Sequence, residues 1–183
     1  MPNNQLPMKR FFLFLIVALT FSSCKNLVPY TNSMKQQYGW SNEQIKRIQF
    51  FVSHDVVLHR DHTQGSTEIV HGKIKNVKGK QVEEIIIPAG TKGVVTQVPK
   101  ENKLLVSFEM NDDYYLSFGV NPNLGDKYVL LASEWNDGVG KVHYFDKEYY
   151  TDPDSKYAHL LVDLRRIQKL ELKQRVAKGR KVN

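Results

Sequence analysis

The stretch Ile87 to Glu109, IPAGTKGVVTQVPKENKLLVSFE, decides how the chain is read. Gly90 and Gly93 flank a corner, and glycine supplies the backbone freedom that a sharp bend needs. Val94 to Val98 follows as a strand. Pro99-Lys100-Glu101-Asn102 has the composition of a turn. Lys103 to Met110 then places apolar Leu104, Val106 and Phe108 at every second position, the period of a half-buried strand. The whole stretch reads as a bent hairpin.

The same signals recur on both sides of it. Upstream, Gln49 to Ser53, Val56 to Arg60, Glu68 to Lys75 and Gln81 to Ile87 have strand character. A break falls at Ser53-His54-Asp55, and Asn76 to Lys80 is expected to turn. Downstream, Asn111-Asp112-Asp113 precedes Tyr114 to Phe118. Further strands are expected at Lys127 to Ser133, Gly140 to Phe145, Lys147 to Thr151 and His159 to Leu164, with Phe145 to Glu148 as a tight turn. Many short strands at close spacing argue for a small antiparallel barrel or sandwich. The Gly-x-x-Gly corner, strand, short turn and second strand of 87–109 resemble the central part of SH3-like barrels. That family implies a ligand-binding or assembly module far more often than an enzyme.

One or two short helices precede the strands. Thr31 is positioned to cap a helix over Asn32 to Tyr38, with Gly39 as its stop. Ser41-Asn42-Glu43-Gln44 is a capping box, and Trp40 against Ile45 fits a hydrophobic staple. Trp40 is therefore read as packing. After the last strand, Arg165 to Asn183 holds eight Lys or Arg against one acid, Glu171. Its propensity suits a helix, while Leu160 to Leu164 is read as strand, and the tail is left open between the two.

The N-terminus carries a different kind of signal. Lys9 and Arg10 precede an apolar run from Phe11 to Phe21, broken only by Thr20. That run spans about 16 Å as a helix, too short for a hydrocarbon core of about 30 Å, and it has the length of a signal-peptide h-region. Phe21-Ser22-Ser23-Cys24 resembles the lipobox of bacterial lipoproteins, with Phe21 where that family usually has an aliphatic residue. The resemblance implies cleavage before Cys24, a diacylglycerol thioether on its sulfur and an N-acyl chain such as palmitate. Lys25 rather than Asp after the cysteine implies sorting to the outer membrane. In general composition the chain resembles the small lipoproteins of Bacteroidota. Cys24 is the only cysteine, so no disulfide within the chain is possible and the fold must rest on packing. The roughly 160 residues after the leader suffice for one domain with a real core.

Four of the six histidines lie between His54 and His71. Histidine and carboxylate are zinc ligands, and His59 and His62 are an i, i+3 pair. The His-Glu-x-x-His spacing is absent, so these are read first as loop histidines. Asp152-Pro153-Asp154-Ser155 lacks the Gly and Glu of a calcium loop and is read as a turn. No Gly-x-Ser-x-Gly elbow or phosphate loop occurs. Aromatic residues cluster at Tyr114-Tyr115, Tyr144-Phe145 and Tyr149-Tyr150. Neighbours on a strand face opposite sides, so one of each pair should turn outward. Such a row would offer a sugar- or peptide-binding face, or else brace the sheet by cross-strand pairing.

The expected organisation is a removed leader (1–23), a lipidated tether with a short helix (24–40), a β-rich domain (41–164) and a basic C-terminal segment (165–183). The expected function is non-catalytic. A lipid-anchored module of the bacterial envelope would bind another envelope protein, peptidoglycan or glycan through Tyr114, Tyr115, Tyr144, Tyr149, Tyr150, Arg165, Arg166 and Lys169. No cofactor is expected, and the membrane address argues against nucleic acid. The alternative is a metal-dependent envelope hydrolase using the His54–His71 cluster.

Overall fold

The structure is a computed structural model that describes residues 26–61, 73–77, 80–100 and 102–174. Cys24, the apolar leader, His62, His71 and the tail from 175 onward lie outside the described residues. The described chain is mainly β. It begins with strand β1 (Leu27–Pro29), helices α1 (Asn32–Tyr38) and α2 (Asn42–Ile45), then β2 (Phe50–Val52), β3 (Val56–Asp61), β4 (Lys73–Val77) and β5 (Lys80–Ile87). The bent hairpin follows as β6 (Lys92–Lys100) and β7 (Lys103–Ser107), then β8 (Tyr115–Asn121), a 3-10 turn η1 (Pro122–Leu124) and β9 (Lys127–Leu130). The chain continues with β10 (Glu134–Asn136), β11 (Val139–Tyr144), β12 (Lys147–Thr151), a second 3-10 turn η2 (Pro153–Tyr157), β13 (Leu160–Asp163) and helix α3 (Leu164–Gln174).

Both helix starts follow from their caps. Thr31 Oγ1 accepts from Met34 N, and Gly39 ends α1 in the left-handed region at φ 60°. Ser41 and Gln44 form the reciprocal capping box of α2. Trp40 stacks on Tyr38 with ring centroids 4.7 Å apart and packs against the core.

The strands form two antiparallel sheets. One has the order β1-β13-β2-β6-β7-β8-β9 and the other β10-β11-β12-β3-β5-β4. The corner anticipated at Gly90 and Gly93 is where the chain leaves the second sheet (β5) and enters the first (β6). Gly90 stands at φ 78°, and its N–H donates to Val52 O at 2.7 Å. β6 slips register twice against β7, and each extra residue bends the strand. The first sheet curls until β9 meets its other side through two isolated bridges, Thr31↔Lys127 and Val129↔His159. These do not make a continuous ladder, so the sheets are not closed into a barrel.

One core lies between the sheets. The first contributes Phe50, Val52, Leu104, Val106, Leu116, Phe118, Leu130, Leu160 and Val162, and the second Val56, Leu58, Ile85, Ile87, Val142, Tyr144 and Tyr149. At about 25 cal/mol for each Å² of apolar surface removed from water, this burial is the main favourable contribution to folding. Ile45 from α2 and Ile167 from α3 seal its margins.

The reversal expected over Asn76 to Lys80 is tighter than read: Asn76, Val77 and Lys80 are themselves paired strand residues, with Val77 opposite Lys80. The segment left open between strand and helix is helical from Leu164 to Gln174, so Leu164, read as the end of a strand, begins the helix. No helix among the described residues is long and apolar enough to cross a membrane.

Candidate functional site

Three exposed hydrophobic residues, Leu124, Trp135 and Tyr157, come together where the two sheets part. Asn136 pairs with Val139, and the two residues between them, Asp137 (φ 47°) and Gly138 (φ 84°), both have positive φ. This is the tight hairpin turn that Asp-Gly favours. It folds β10 onto β11 and sets Trp135 opposite Gly140. The indole packs over the glycine; a Cβ built on Gly140 would lie 2.7 Å from the ring. Trp135 nevertheless keeps 39% of its surface exposed.

η2 delivers the facing wall. Buried Ser155 accepts a hydrogen bond from Val57 N at 3.2 Å, which ties the turn to β3. That leaves Lys156 and Tyr157 outside, with the Lys156 ammonium 5.0 Å from the Tyr157 ring centre. Together with Leu124, Leu131 and Asn121, these residues line a cleft of about 530 Å³. Leu124 and Tyr157 are 46% and 54% exposed. Aromatic faces beside one amide and one cation suit a ligand with both an apolar face and polar edges.

The tyrosine row expected from the sequence is not the exposed surface. Tyr114, Tyr144 and Tyr149 are buried. On β11 and β12 the inward phase belongs to Val142, Tyr144 and Tyr149, so the solvent positions fall to Lys141, His143, Glu148 and Tyr150. Tyr114 stacks on Phe145 at 4.8 Å, and Tyr144 meets Tyr149 edge-on at 6.2 Å. The second joins neighbouring strands β11 and β12, and the first joins the residue before β8 to the turn after β11. The Tyr144 hydroxyl donates to the Glu109 carboxylate, and burial, then that bond, holds its pKa well above the usual tyrosine range. Burial and the nearby Glu83 charge push Tyr149 up to about 12. Glu83 faces inward and pairs with Arg60, whose Nη2 lies 2.6 Å from Oε2. Of the expected row, Tyr150 is exposed and Tyr115 half-buried.

The histidines separate. His59 Nε2 sits 2.7 Å from Asp152 Oδ1, and its Nδ1 is 3.7 Å from Glu84 Oε2. His54 turns the other way, towards Ser53 and His159. His62 and His71 lie outside the described residues. Among the described residues no group of three or more His, Cys, Asp or Glu is placed to hold a metal ion. His159 was not anticipated, because it lies far along the chain from the other histidines. Its ring Nδ1 reaches Ser53 Oγ at 2.9 Å and Tyr157 O at 3.0 Å. Burial, followed by the nearby charges of Lys127 and His54, lowers its pKa below the ordinary value, against the bond to Tyr157 O.

Arg165, Arg166 and Lys169 are exposed on α3. Arg165 lies beside Asp163, with its Nε 3.6 Å from Oδ1. The other two stand with Arg47 around a separate groove. Trp135, Lys156 and Tyr157 were not singled out from sequence. The signal that would have found Trp135 is the Asp137-Gly138 pair, which marks a hairpin and hence a strand on either side of it.

No protein-family model, curated protein or solved structure matches this chain. The class it defines therefore rests on its own geometry: a two-sheet antiparallel β domain with an aromatic cleft at the opening between the sheets.

Proposed function

We propose that this chain is a lipid-anchored protein of the bacterial envelope, held by acylated Cys24, that binds a glycan without cleaving it. Peptidoglycan is the foremost candidate, taken up in the Trp135–Tyr157 cleft. The observation that carries the reading is the exposed indole seated on Gly140, facing Tyr157 across an apolar floor. Sugar rings have an apolar face that stacks on such surfaces, and their hydroxyl rims hydrogen-bond to groups like the Asn121 amide and the Lys156 ammonium. The lipobox-like Phe21-Ser22-Ser23-Cys24 supports the anchor. The finer fold assignment, an SH3-like module centred on 87–109, belongs to the same proposal. The left-handed corner at Gly90 and the twice-bulged β6 support it.

The test is a titration of the mature chain with soluble peptidoglycan fragments, followed by tryptophan emission. Replacing the packed Trp40 by Phe leaves Trp135 as the reporter. The expected result is a saturable shift in emission, and calorimetric titration, which needs no reporter, shows Trp135→Ala weakening binding roughly tenfold, the worth of one aromatic contact. Fragments that bind equally well to Trp135→Ala, or not at all, would remove the cleft from this role. Fragments shortened during the titration in a metal-dependent way, with loss of cleavage in His59→Ala, would favour the hydrolase instead.

A further inference from the structure

We infer that the groove beside α3 seats the phosphate headgroup of an anionic lipid, in the same membrane that holds Cys24. This deepens the proposed function and rests on its lipid anchor. The groove has a volume of about 280 Å³. Its floor is apolar, made by buried Ile48 and Ile167. Its rim carries three exposed cations, Arg47, Arg166 and Lys169. Arg166 and Lys169 are three residues apart on α3 and so share a face. Among the described residues no carboxylate pairs with any of the three. Asp163 also lines the groove, but its Oδ1 accepts from Arg165 N at 3.1 Å and lies beside that residue's guanidinium. Its charge is therefore met by a fourth cation on the same turn.

The position of the groove selects a lipid over a dissolved anion. Leu27 pairs with Asp163, and Leu164 N, at the start of α3, donates to Asn26 O at 3.3 Å. Cys24 precedes Asn26 by two residues, which span at most about 7 Å. The groove therefore starts within a short chain's reach of the acylated residue. A membrane surface attracts cations within a Debye length of about 8–10 Å. A phosphate against the three cations, with its glycerol and ester carbons over Ile48 and Ile167, satisfies both parts of the groove. The domain would then stand on the bilayer in one orientation rather than swing from its tether.

Vesicle co-sedimentation tests this. The chain is produced from residue 24 with Cys24→Ser, so that no acyl chain contributes; among the described residues every core residue lies between Val28 and Ile167, and all of them are retained. Vesicles containing phosphatidylglycerol are expected to bind it and vesicles of phosphatidylcholine alone are not, with binding falling as salt rises. The triple change Arg47→Gln, Arg166→Gln and Lys169→Gln is expected to weaken binding on the order of a hundredfold, from about tenfold or less per cation. A matched triple on the bent hairpin, Lys92→Gln, Lys100→Gln and Lys103→Gln, removes the same net charge and is expected to leave binding nearly intact. Equal losses from both triples would overturn the inference in favour of net charge. So would binding that survives the groove triple and disappears when 175–183 is deleted. The anchor is tested separately by the mass of the native N-terminal peptide, so the two readings fail independently.

Discussion

Gly90 and Gly93 stand three residues apart and are glycine for different reasons. At Gly90 there is open space where a Cβ would go, but φ is 78°, a conformation that costs an L-residue about 1–2 kcal/mol. At Gly93 the backbone is ordinary, yet a Cβ would lie 2.7 Å from Phe108 and Val106. Gly90→Ala is expected to lower stability by about 1 kcal/mol without disturbing the core. Gly93→Ala is expected to cost about 1–3 kcal/mol through overpacking and to alter the near-ultraviolet signal of the aromatic core. Urea unfolding with circular dichroism separates the two. Tyr30 offers the opposite sign. It is fully buried against Tyr128 and Phe50, and its hydroxyl has no hydrogen-bond partner among the described residues. Tyr30→Phe removes an unsatisfied buried group and is expected to raise stability by about 1 kcal/mol. A lower urea midpoint would show that the hydroxyl is satisfied after all.

At the scale of elements, α2 tests how far a cap alone specifies structure. It has four residues, too few to be stable by propensity. It is held by the Ser41–Gln44 box and by Ile45 entering the core. Ser41→Ala should cost about 1 kcal/mol, while Ser41→Asp, which restores a capping oxygen, should recover most of it. Equal losses in both would mean that Ile45 alone holds the turn. Both short helices were legible in the sequence because caps are local chemistry. So was the β6–β7 hairpin, where alternation and turn residues agree. The β10–β11 hairpin was not read, because three-residue β10 is exposed throughout and has no apolar alternation to find; only Asp137-Gly138 marked it. The facing of the tyrosines was illegible for another reason. Alternation says that Tyr149 and Tyr150 point apart, but not which of them meets a core built by residues far along the chain. The site was hidden for the same reason: Trp135 and Tyr157 line one cleft, with η2 tied to β3 through Ser155.

For the whole molecule, the weak point is the seam where the first sheet curls back on itself. His159 sits there, bridged to Val129 of β9 and tied to Ser53 beside β2 in both directions. Its N–H donates to Ser53 Oγ, and its carbonyl accepts from Ser53 N. The imidazole is partly buried with Lys127 and His54 near it, and its folded pKa lies below the unfolded value of 6.5. At a pH between those two values the unfolded chain binds more protons than the folded one, so stability rises with pH. The contribution is complete above the unfolded pKa and is lost as the pH falls towards the folded one. The urea midpoint is therefore expected to fall between about pH 7 and about pH 5, where histidine titrates. His159→Asn keeps an amide donor for Tyr157 O but has no proton to gain, so its midpoint should fall less over that range. If the wild-type and His159→Asn slopes coincide, the seam is not the source of acid sensitivity.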